Sequence, residues 1–455
     1  MSRTKLILCL ALALGIVLAV VFLIQVRQLR NQVRSAVRII PGDAKSSEDA
    51  TRRELEQGAP RARADLLVKF RSGASAEPVK QIIERFNDQM LDEIEAVPGL
   101  MAIDDRDNAD AQAAAAQYRA LPEVEYAEPN YEINIQPNSK TIVTEPSDVD
   151  SLWAATIGRP QAWTRTKGSG AIVVAILDTG VDYDHPELAN NIWKRPAEIS
   201  PYHDRDLGTR DDVHGYNALD NNDDPFDDNG HGTAEAGIIG SECGKDNGFH
   251  SCAGVNSTAS IMALKFLNAG GYGTVADAIE AINYAIDRKH AGVNIRVINA
   301  GWGLGQYSRA LEDVIRKAGE AGILFVAASG DTHQNNDTQP YYPASYQLEN
   351  VLSVAAVNSN DTFSSGSNYG AKTVQLAAPG QSHLTTAPNN GHQVSSDTSV
   401  AAAMVSGVAV LALSVKPELT VGQLRSLLLS SVDKKPGLMG KVSTGGRINA
   451  AKAVK

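Results

Sequence analysis

Cysteine is scarce in this chain of 455 residues, which holds three of them. Cys9 lies in an apolar N-terminal run; Cys243 and Cys252 sit nine residues apart in a Gly/Asn/Ser-rich stretch. No Cys/His cluster has zinc-ligand spacing, which argues against a zinc site, and a chain this long buries enough core to fold without a disulfide framework. Cys243 and Cys252 form either a small disulfide loop, as in an exported domain, or two separate thiols. Positive charge is in deficit too: 42 Lys and Arg against 53 Asp and Glu leave a net charge of -11, which argues against a nucleic-acid partner because that would need a basic face. Internal repeats and the EF-hand loop pattern are missing as well.

Residues Leu6 to Ile24 contain no charge over 19 residues, enough for a transmembrane helix. A secretory signal has an apolar core of about 7–15 residues and a small-x-small cleavage site. This run is longer and no such site follows it, so the expectation is an uncleaved signal anchor, with a cleaved signal and a secreted protein as the alternative. Arg3 and Lys5 precede the run while Arg27, Arg30, Arg34 and Arg38 follow it, so flanking charge alone does not orient it. The cysteine pair and the small domain described next place the body outside the cytoplasm. Residues 1–38 are thus expected to be anchor and juxtamembrane helix, in contact with the membrane, and 39–63 a polar linker.

Residues 64–135 read as a compact unit. Leu66 to Phe70 is a strand, and Val79, Ile82, Ile83 and Phe86 fall at i, i+3, i+4 and i+7 on one helix face. A strand near Gly99–Ile103, a helix over Ala109–Leu121 and a strand at Val124–Tyr126 complete a β-α-β-β-α-β pattern. After a second linker, 136–147, the large domain 148–455 alternates strands and helices. Its apolar runs Ala171–Leu177, Ile261–Leu264, Arg296–Asn299 and Ile323–Ala327 suit strands buried on both faces, with helical patterns over Val275–Arg288 and Arg309–Ala321 between them. The expected fold class is α/β, a parallel central sheet flanked by helices, preceded by the small α+β domain and the transmembrane helix. In such sheets the site gathers at the carboxyl ends of the strands.

Three segments carry chemistry there. Leu177-Asp178-Thr179-Gly180 puts a carboxylate where a buried strand surfaces, able to orient an imidazole. Asn229-Gly230-His231-Gly232-Thr233 offers a general base at the start of a helix. Asp397-Thr398-Ser399-Val400-Ala401 places a hydroxyl at a helix N-terminus, where a plain N-cap is the bland alternative and the helix dipole favours developing negative charge. With Pro340-Tyr341-Tyr342-Pro343-Ala344-Ser345 and Ala377-Ala378-Pro379-Gly380, these segments resemble the signatures of the subtilisin-like serine peptidases, in that family's order Asp, His, Ser. The resemblance spans 148–455, and 64–131 resembles the family's inhibitory propeptide. It implies a serine endopeptidase with the triad Asp178, His231 and Ser399, acting on peptides or proteins and made as a self-processing zymogen whose own propeptide blocks the cleft until cut in or near Gln136–Asp148. By the same resemblance, Gly301, Trp302 and Gly303 line the substrate, Trp302 being either pocket wall or core.

Several positions depart from the pattern. Asp331, in Val326-Ala327-Ala328-Ser329-Gly330-Asp331, stands where the family has the Asn that donates to the oxyanion. An ionised carboxylate repels that charge, and in subtilisin the loss of the donor costs about 10²–10³ in turnover. A protonated Asp331 still donates, and burial together with Asp178, if near, raises its pKa. Asp397 replaces a Gly, adding charge beside the nucleophile or an N-cap. Glu235 adds a charge one turn after His231, and Ala403-Met404 replace Pro-His, where an effect on packing is expected. Asp220, Asp224 and Asp227, in an acidic loop before His231, are candidate calcium ligands or a solvated loop. Three functional readings follow: an active peptidase; a catalytically impaired pseudoprotease serving as a membrane-tethered binding scaffold; and an enzyme that cuts only itself.

Overall fold

The computed structural model describes residues 63–107, 109–135, 141–142, 151–242 and 253–455. The expected anchor, the first linker and Cys243 with Cys252 fall outside the described residues. The small domain runs β1 (Leu66–Phe70), α1 (Ala76–Arg85), β2 (Gln89–Glu93), β3 (Leu100–Asp104), α2 (Ala111–Arg119) and β4 (Val124–Pro129). Its antiparallel sheet has the order β2-β3-β1-β4. The apolar stripe of α1 buries Val79, Ile82 and Ile83. Asp110 caps α2 by accepting from the Ala113 N–H, and Ala114, Ala115 and Tyr118 close the core. This is the expected β-α-β-β-α-β unit. Its β2 is the one strand that no apolar run announced, since Met90 faces out and Asp92 faces in.

Short strands β5 (Glu132–Asn134) and β6 (Thr141–Ile142) then lead into α3 (Ser151–Thr156), α4 (Arg159–Ala162) and β7 (Gly168–Asp178). There follow β8 (Tyr202–Asp204), β9 (Gly208–Arg210), β10 (Gly215–Asn217), α5 (His231–Gly240), β11 (Thr258–Lys265), β12 (Tyr272–Thr274), α6 (Val275–His290), β13 (Ile295–Ala300), α7 (Arg309–Glu320) and β14 (Leu324–Ala328). The chain finishes with β15 (Val351–Val357), β16 (Leu376–Pro379), β17 (His383–Ala387), β18 (Gly391–Ser395), α8 (Thr398–Val415), α9 (Val421–Ser430), β19 (Val432–Lys434), β20 (Gly446–Ile448) and α10 (Ala450–Ala453).

The main sheet has nine strands in the order β10-β11-β7-β13-β14-β15-β16-β20-β19. Every pairing in it is parallel except β19 with β20. Strands covered on both faces need continuous apolar sequence, and Ile172–Leu177 of β7 and all of β14 are buried as that demands. On one face lie α6 and α7, and on the other α5 and α8. Helix α8 is long and apolar enough to cross a membrane, yet it is buried in this core from Thr398 to Leu413.

The small domain docks on the N-terminal ends of α6 and α7. Glu128 takes the Arg309 and Ala310 N–H groups at 2.9 and 3.2 Å and the Ser308 hydroxyl at 2.5 Å, so a carboxylate sits on the positive end of α7. Tyr126 donates to Asp313 at 2.8 Å, and Asn130 accepts from the Ala276 N–H at 2.8 Å. The chain then enters the large domain's groove, where β5 pairs antiparallel with β12 and the Ile135 N–H donates to the Gly271 carbonyl at 3.1 Å.

Candidate active site

Strand β7 ends on Asp178, at the carboxyl edge of the sheet. Its carboxylate is fully buried, and Oδ1 accepts from the Thr179 N–H at 2.7 Å and from His231 Nδ1 at 2.8 Å. His231 opens α5, whose first turn packs directly on the end of β7. A Cβ on Gly232 would stand 2.1 Å from the Gly180 carbonyl, so only glycine lets helix and strand approach this closely. Across the cleft, His231 Nε2 lies 3.2 Å from Ser399 Oγ in the first turn of α8. The three residues singled out in the sequence are therefore in mutual hydrogen-bond reach, in the arrangement nucleophilic catalysis uses.

Three further carboxylates crowd this group. Asp397 caps α8, as expected, by accepting from the Val400 N–H at 2.8 Å. The same Oδ1 also accepts the Ser399 hydroxyl at 2.5 Å, while Oδ2 is buried with no hydrogen-bond partner. Asp331 follows β14 and accepts from both the Thr398 N–H (2.9 Å) and the Thr398 hydroxyl (2.8 Å). Burial, and next the charge of Asp397, push its pKa up to about 7 against those two bonds. The carboxylate that raises it is thus Asp397 and not Asp178, because both Asp331 and Asp397 turn toward the same N-terminus of α8.

Glu235, one turn after His231, is the third. Its Oε2 accepts from Asn299 Nδ2 at 2.8 Å, and Oε1 lies 4.0 Å from His231 Nδ1 with no hydrogen bond. A Cβ on Gly301 would fall 1.7 Å from Glu235 Oε1 and 2.8 Å from Ser399 Cβ. Gly301 is therefore the notch that admits Glu235. Burial and the charge of Asp178 hold the Glu235 pKa well above the carboxylate range. Burial alone would lower the His231 pKa, but the charge and hydrogen bond of Asp178, followed by Glu235 and Asp397, outweigh it and lift it to about 10.

Gly301 and Trp302 border a small cavity of about 10 Å³ beside Ser399, walled also by Asp331, Tyr341 and Ile135. Trp302 is core and wall at once: it is 1% exposed, its indole N–H donates to the Leu177 carbonyl at 2.8 Å, and its ring packs on Phe266. Gly303 lies one step off, against Tyr341 and the Tyr342 carbonyl, and does not reach the cavity. Ile135, the last described residue of the small domain's tail, reaches the cavity, a placement that no local pattern signals.

The acidic loop does not gather as a cation cage. Both oxygens of Asp227 are taken by the Thr179 and Thr233 hydroxyls and the N–H groups of Asn229, Gly230 and Thr233. Asp224 accepts from the Tyr183 hydroxyl and the Phe226 N–H, and Asp220 from Asn217 Nδ2. Among the described residues, metal-type donors converge instead at Asp178–His231–Glu235 and at Asp92–Asp204–Glu280. Asp227 thus braces the loop and the N-terminus of α5, while Asp220 and Asp224 each keep one carboxylate oxygen to which no protein donor is bonded among the described residues.

Comparison with known proteins bears on the fold and the family. Residues 169–445 match the subtilase family, and 53–130 match the fervidolysin N-terminal prodomain. The chain is 31% identical to a thermophilic serine proteinase of Bacillus sp. (strain AK1) over 398 residues, 86% of this chain and 87% of that protein. It is 34% identical to thermitase of Thermoactinomyces vulgaris over 298 residues, 66% of this chain and 93% of that one. The crystal structure of a cold-adapted subtilisin-like serine proteinase superposes with a TM-score of 0.51 at 28% identity, covering 63% of this chain and 90% of that one. With a family match over more than half its length and a relative covered almost end to end, this chain belongs to the subtilase family of serine peptidases.

Proposed function

We propose that the protein is a serine endopeptidase made as a self-processing zymogen. Ser399 Oγ attacks the carbonyl carbon of a bound peptide, His231 passes a proton to the departing amine, and Asp178 fixes the imidazole through Nδ1 and stabilises its charge. The Ser399 N–H and a protonated Asp331 hold the oxyanion. The observation that carries this reading is the run of contacts from Asp178 through His231 to Ser399, at 2.8 and 3.2 Å, with a strand of the chain's own prodomain laid along β12 and ending beside the serine. Such a strand sits as a substrate would, so the bond to be cut lies at or beyond Gln136, and the prodomain stays as an inhibitor after cleavage. The domain limits 64–135 and 148–455 go with this reading, and the uncharged run Leu6–Ile24 supports an N-terminal anchor that tethers the enzyme outside the cytoplasm.

The test is to express residues 64–455 as wild type and as Ser399→Ala in an oxidising compartment and to map each N-terminus by mass spectrometry. Cleavage at or beyond Gln136 in the wild type alone is the expected result. An intact, folded wild-type chain overturns it. One observation favours the rival reading of a binding scaffold without turnover: the Ser399 hydroxyl is drawn to Asp397 at 2.5 Å. Failure of folded protein to react with an active-site-directed phosphonate at any pH is the outcome that establishes the scaffold.

A further inference from the structure

A serine hydroxyl has one hydrogen to give. In this site it has two acceptors in reach: Asp397 Oδ1 at 2.5 Å and His231 Nε2 at 3.2 Å. The shorter contact is the charge-assisted one, since O–H···O⁻ bonds run about 2.5–2.7 Å. If the hydrogen points to Asp397, Nε2 must be the donor in its contact with Oγ. His231 Nδ1 is already committed to Asp178. Both ring nitrogens then carry hydrogens, which is the imidazolium. The direction of the bonds, from Nε2–H to Oγ–H to Oδ1, is internally consistent and leaves His231 without a lone pair for the serine proton. The surroundings agree: Asp178 at the end of β7, Glu235 on α5 and Asp331 after β14 all face the same group, and among the described residues none of the four carboxylates is ion-paired to Lys or Arg.

We propose that Asp397 is a further catalytic residue, a general base that takes the Ser399 proton while His231 stands as imidazolium and serves as the acid. The idea rests on the peptidase reading above. In acylation the Oγ–H bond breaks, the proton passes to Asp397 Oδ1, and Oγ bonds to the carbonyl carbon, whose π pair moves to oxygen. When the tetrahedral adduct collapses, the C–N bond breaks and the amine leaves with the Nε2 proton of His231. The acyl-enzyme then has a neutral imidazole and a protonated Asp397. In deacylation water gives a proton to His231 as its oxygen bonds to the acyl carbon; the C–Oγ bond breaks, and Oγ recovers its proton from Asp397. Charges and protons return to the starting state, and no outside reagent is needed.

The position of Asp397 suits the role. It is 8% exposed, and its extended backbone at the N-cap of α8 holds Oδ1 against Oγ through the Val400 N–H. The charge it places beside His231, with that of Asp178, also keeps the imidazole protonated, so the residue that displaces the usual base supplies the replacement.

The experiment is the pH–rate profile of the self-processed enzyme and of Asp397→Asn and Asp397→Gly, from pH 4.5 to 9, on an internally quenched peptide. The Asn variant preserves the cap and removes only the basicity. Wild type is expected to change less than about threefold between pH 7 and 5, because its base is a carboxylate. Both variants must use a neutral His231, which the charge and hydrogen bond of Asp178 still hold above the ordinary histidine range, so they are expected to lose roughly tenfold per unit as pH falls from 7 to 5. A second measurement removes the acid step: burst hydrolysis of a p-nitrophenyl ester, whose leaving group needs no proton. There His231→Ala keeps Ser399-dependent acylation, and His231→Ala/Asp397→Asn falls to the level of Ser399→Ala. Parallel profiles in wild type and both variants, or an equal burst in the single and double variants, overturn the role of Asp397 and leave the peptidase intact. No Ser399-dependent cleavage or phosphonate labelling in the wild type overturns the peptidase reading, and this inference with it.

Discussion

Asp331→Asn is the sharpest test of how this site holds an oxyanion. The carboxyl sits where a neutral donor is wanted, and it is useful only while protonated. Its pKa is pushed up to about 7, first by burial and then by Asp397. The neutral form is therefore about nine-tenths populated at pH 6 and about one-tenth at pH 8. The sign follows directly: wild-type turnover falls as pH rises through 7, about tenfold per unit once Asp331 ionises. The fall ends at the roughly 10²–10³ that loss of one oxyanion donor costs. An asparagine at this position meets the same neighbours. Its oxygen accepts the Thr398 N–H now bonded at 2.9 Å, and its amide faces the Thr398 hydroxyl at 2.8 Å, which turns to accept. The variant donates at every pH. Expected, then, are near-equal kcat values for the two proteins at pH 6 and an advantage of about tenfold for Asp331→Asn at pH 8, rising toward pH 9. The assay is kcat against pH, with circular dichroism to show that both proteins are folded. A variant that runs parallel to wild type, or below it, at pH 8 refutes the assignment of Asp331 as donor.

Other expectations come from the packing. Gly301→Ser places its Cβ on Glu235 Oε1, so alone it should lower Tm by several degrees, consistent with the roughly 1–3 kcal/mol cost of overpacking, whereas Gly301→Ser with Glu235→Val should recover most of that loss; additive Tm shifts in the double variant would refute the notch. Asp227→Ala strips the brace that holds Thr179, Thr233 and the N–H groups at the start of α5; it should lower Tm and activity together, and a chelator should not reproduce either effect by thermal melt. Glu128→Ala removes the carboxylate on the N-terminus of α7 and should shorten the lag before activity appears after self-cleavage, by roughly 5–30-fold if about 1–2 kcal/mol of cap is lost; an unchanged lag in a progress curve would show that β5 alone holds the prodomain.

What the sequence disclosed and what it withheld divide along a physical line. Local patterns carried the strands: the run Ala171–Leu177 lies inside β7, and the i, i+3, i+4 spacing of Val79, Ile82 and Ile83 lies inside α1. They also carried the ends of those elements, and so Asp178, His231 and Ser399. What they could not carry is which side chain meets which across the sheet. Strand β2 escaped because its polar residues, Gln89, Asp92 and Glu93, suit an edge strand and lack alternation. The tail through Ile135 reads as linker, since its strand order comes only from pairing with β12, more than a hundred residues on. Asp331, Asp397 and Glu235 each showed as single departures from the subtilase pattern. Their meaning is joint: β14, the approach to α8 and α5 bring all three carboxyl groups onto one serine and one imidazole, and Gly301 gives up a side chain to make room. A charge that would be costly alone in a buried site becomes tolerable when protons are shared among several carboxylates and one imidazolium. That sharing makes the acidic substitutions interdependent. Reverting one of them should disturb the titration of the others, so single reversions toward the subtilase pattern need not add up to the behaviour of a relative that lacks all three.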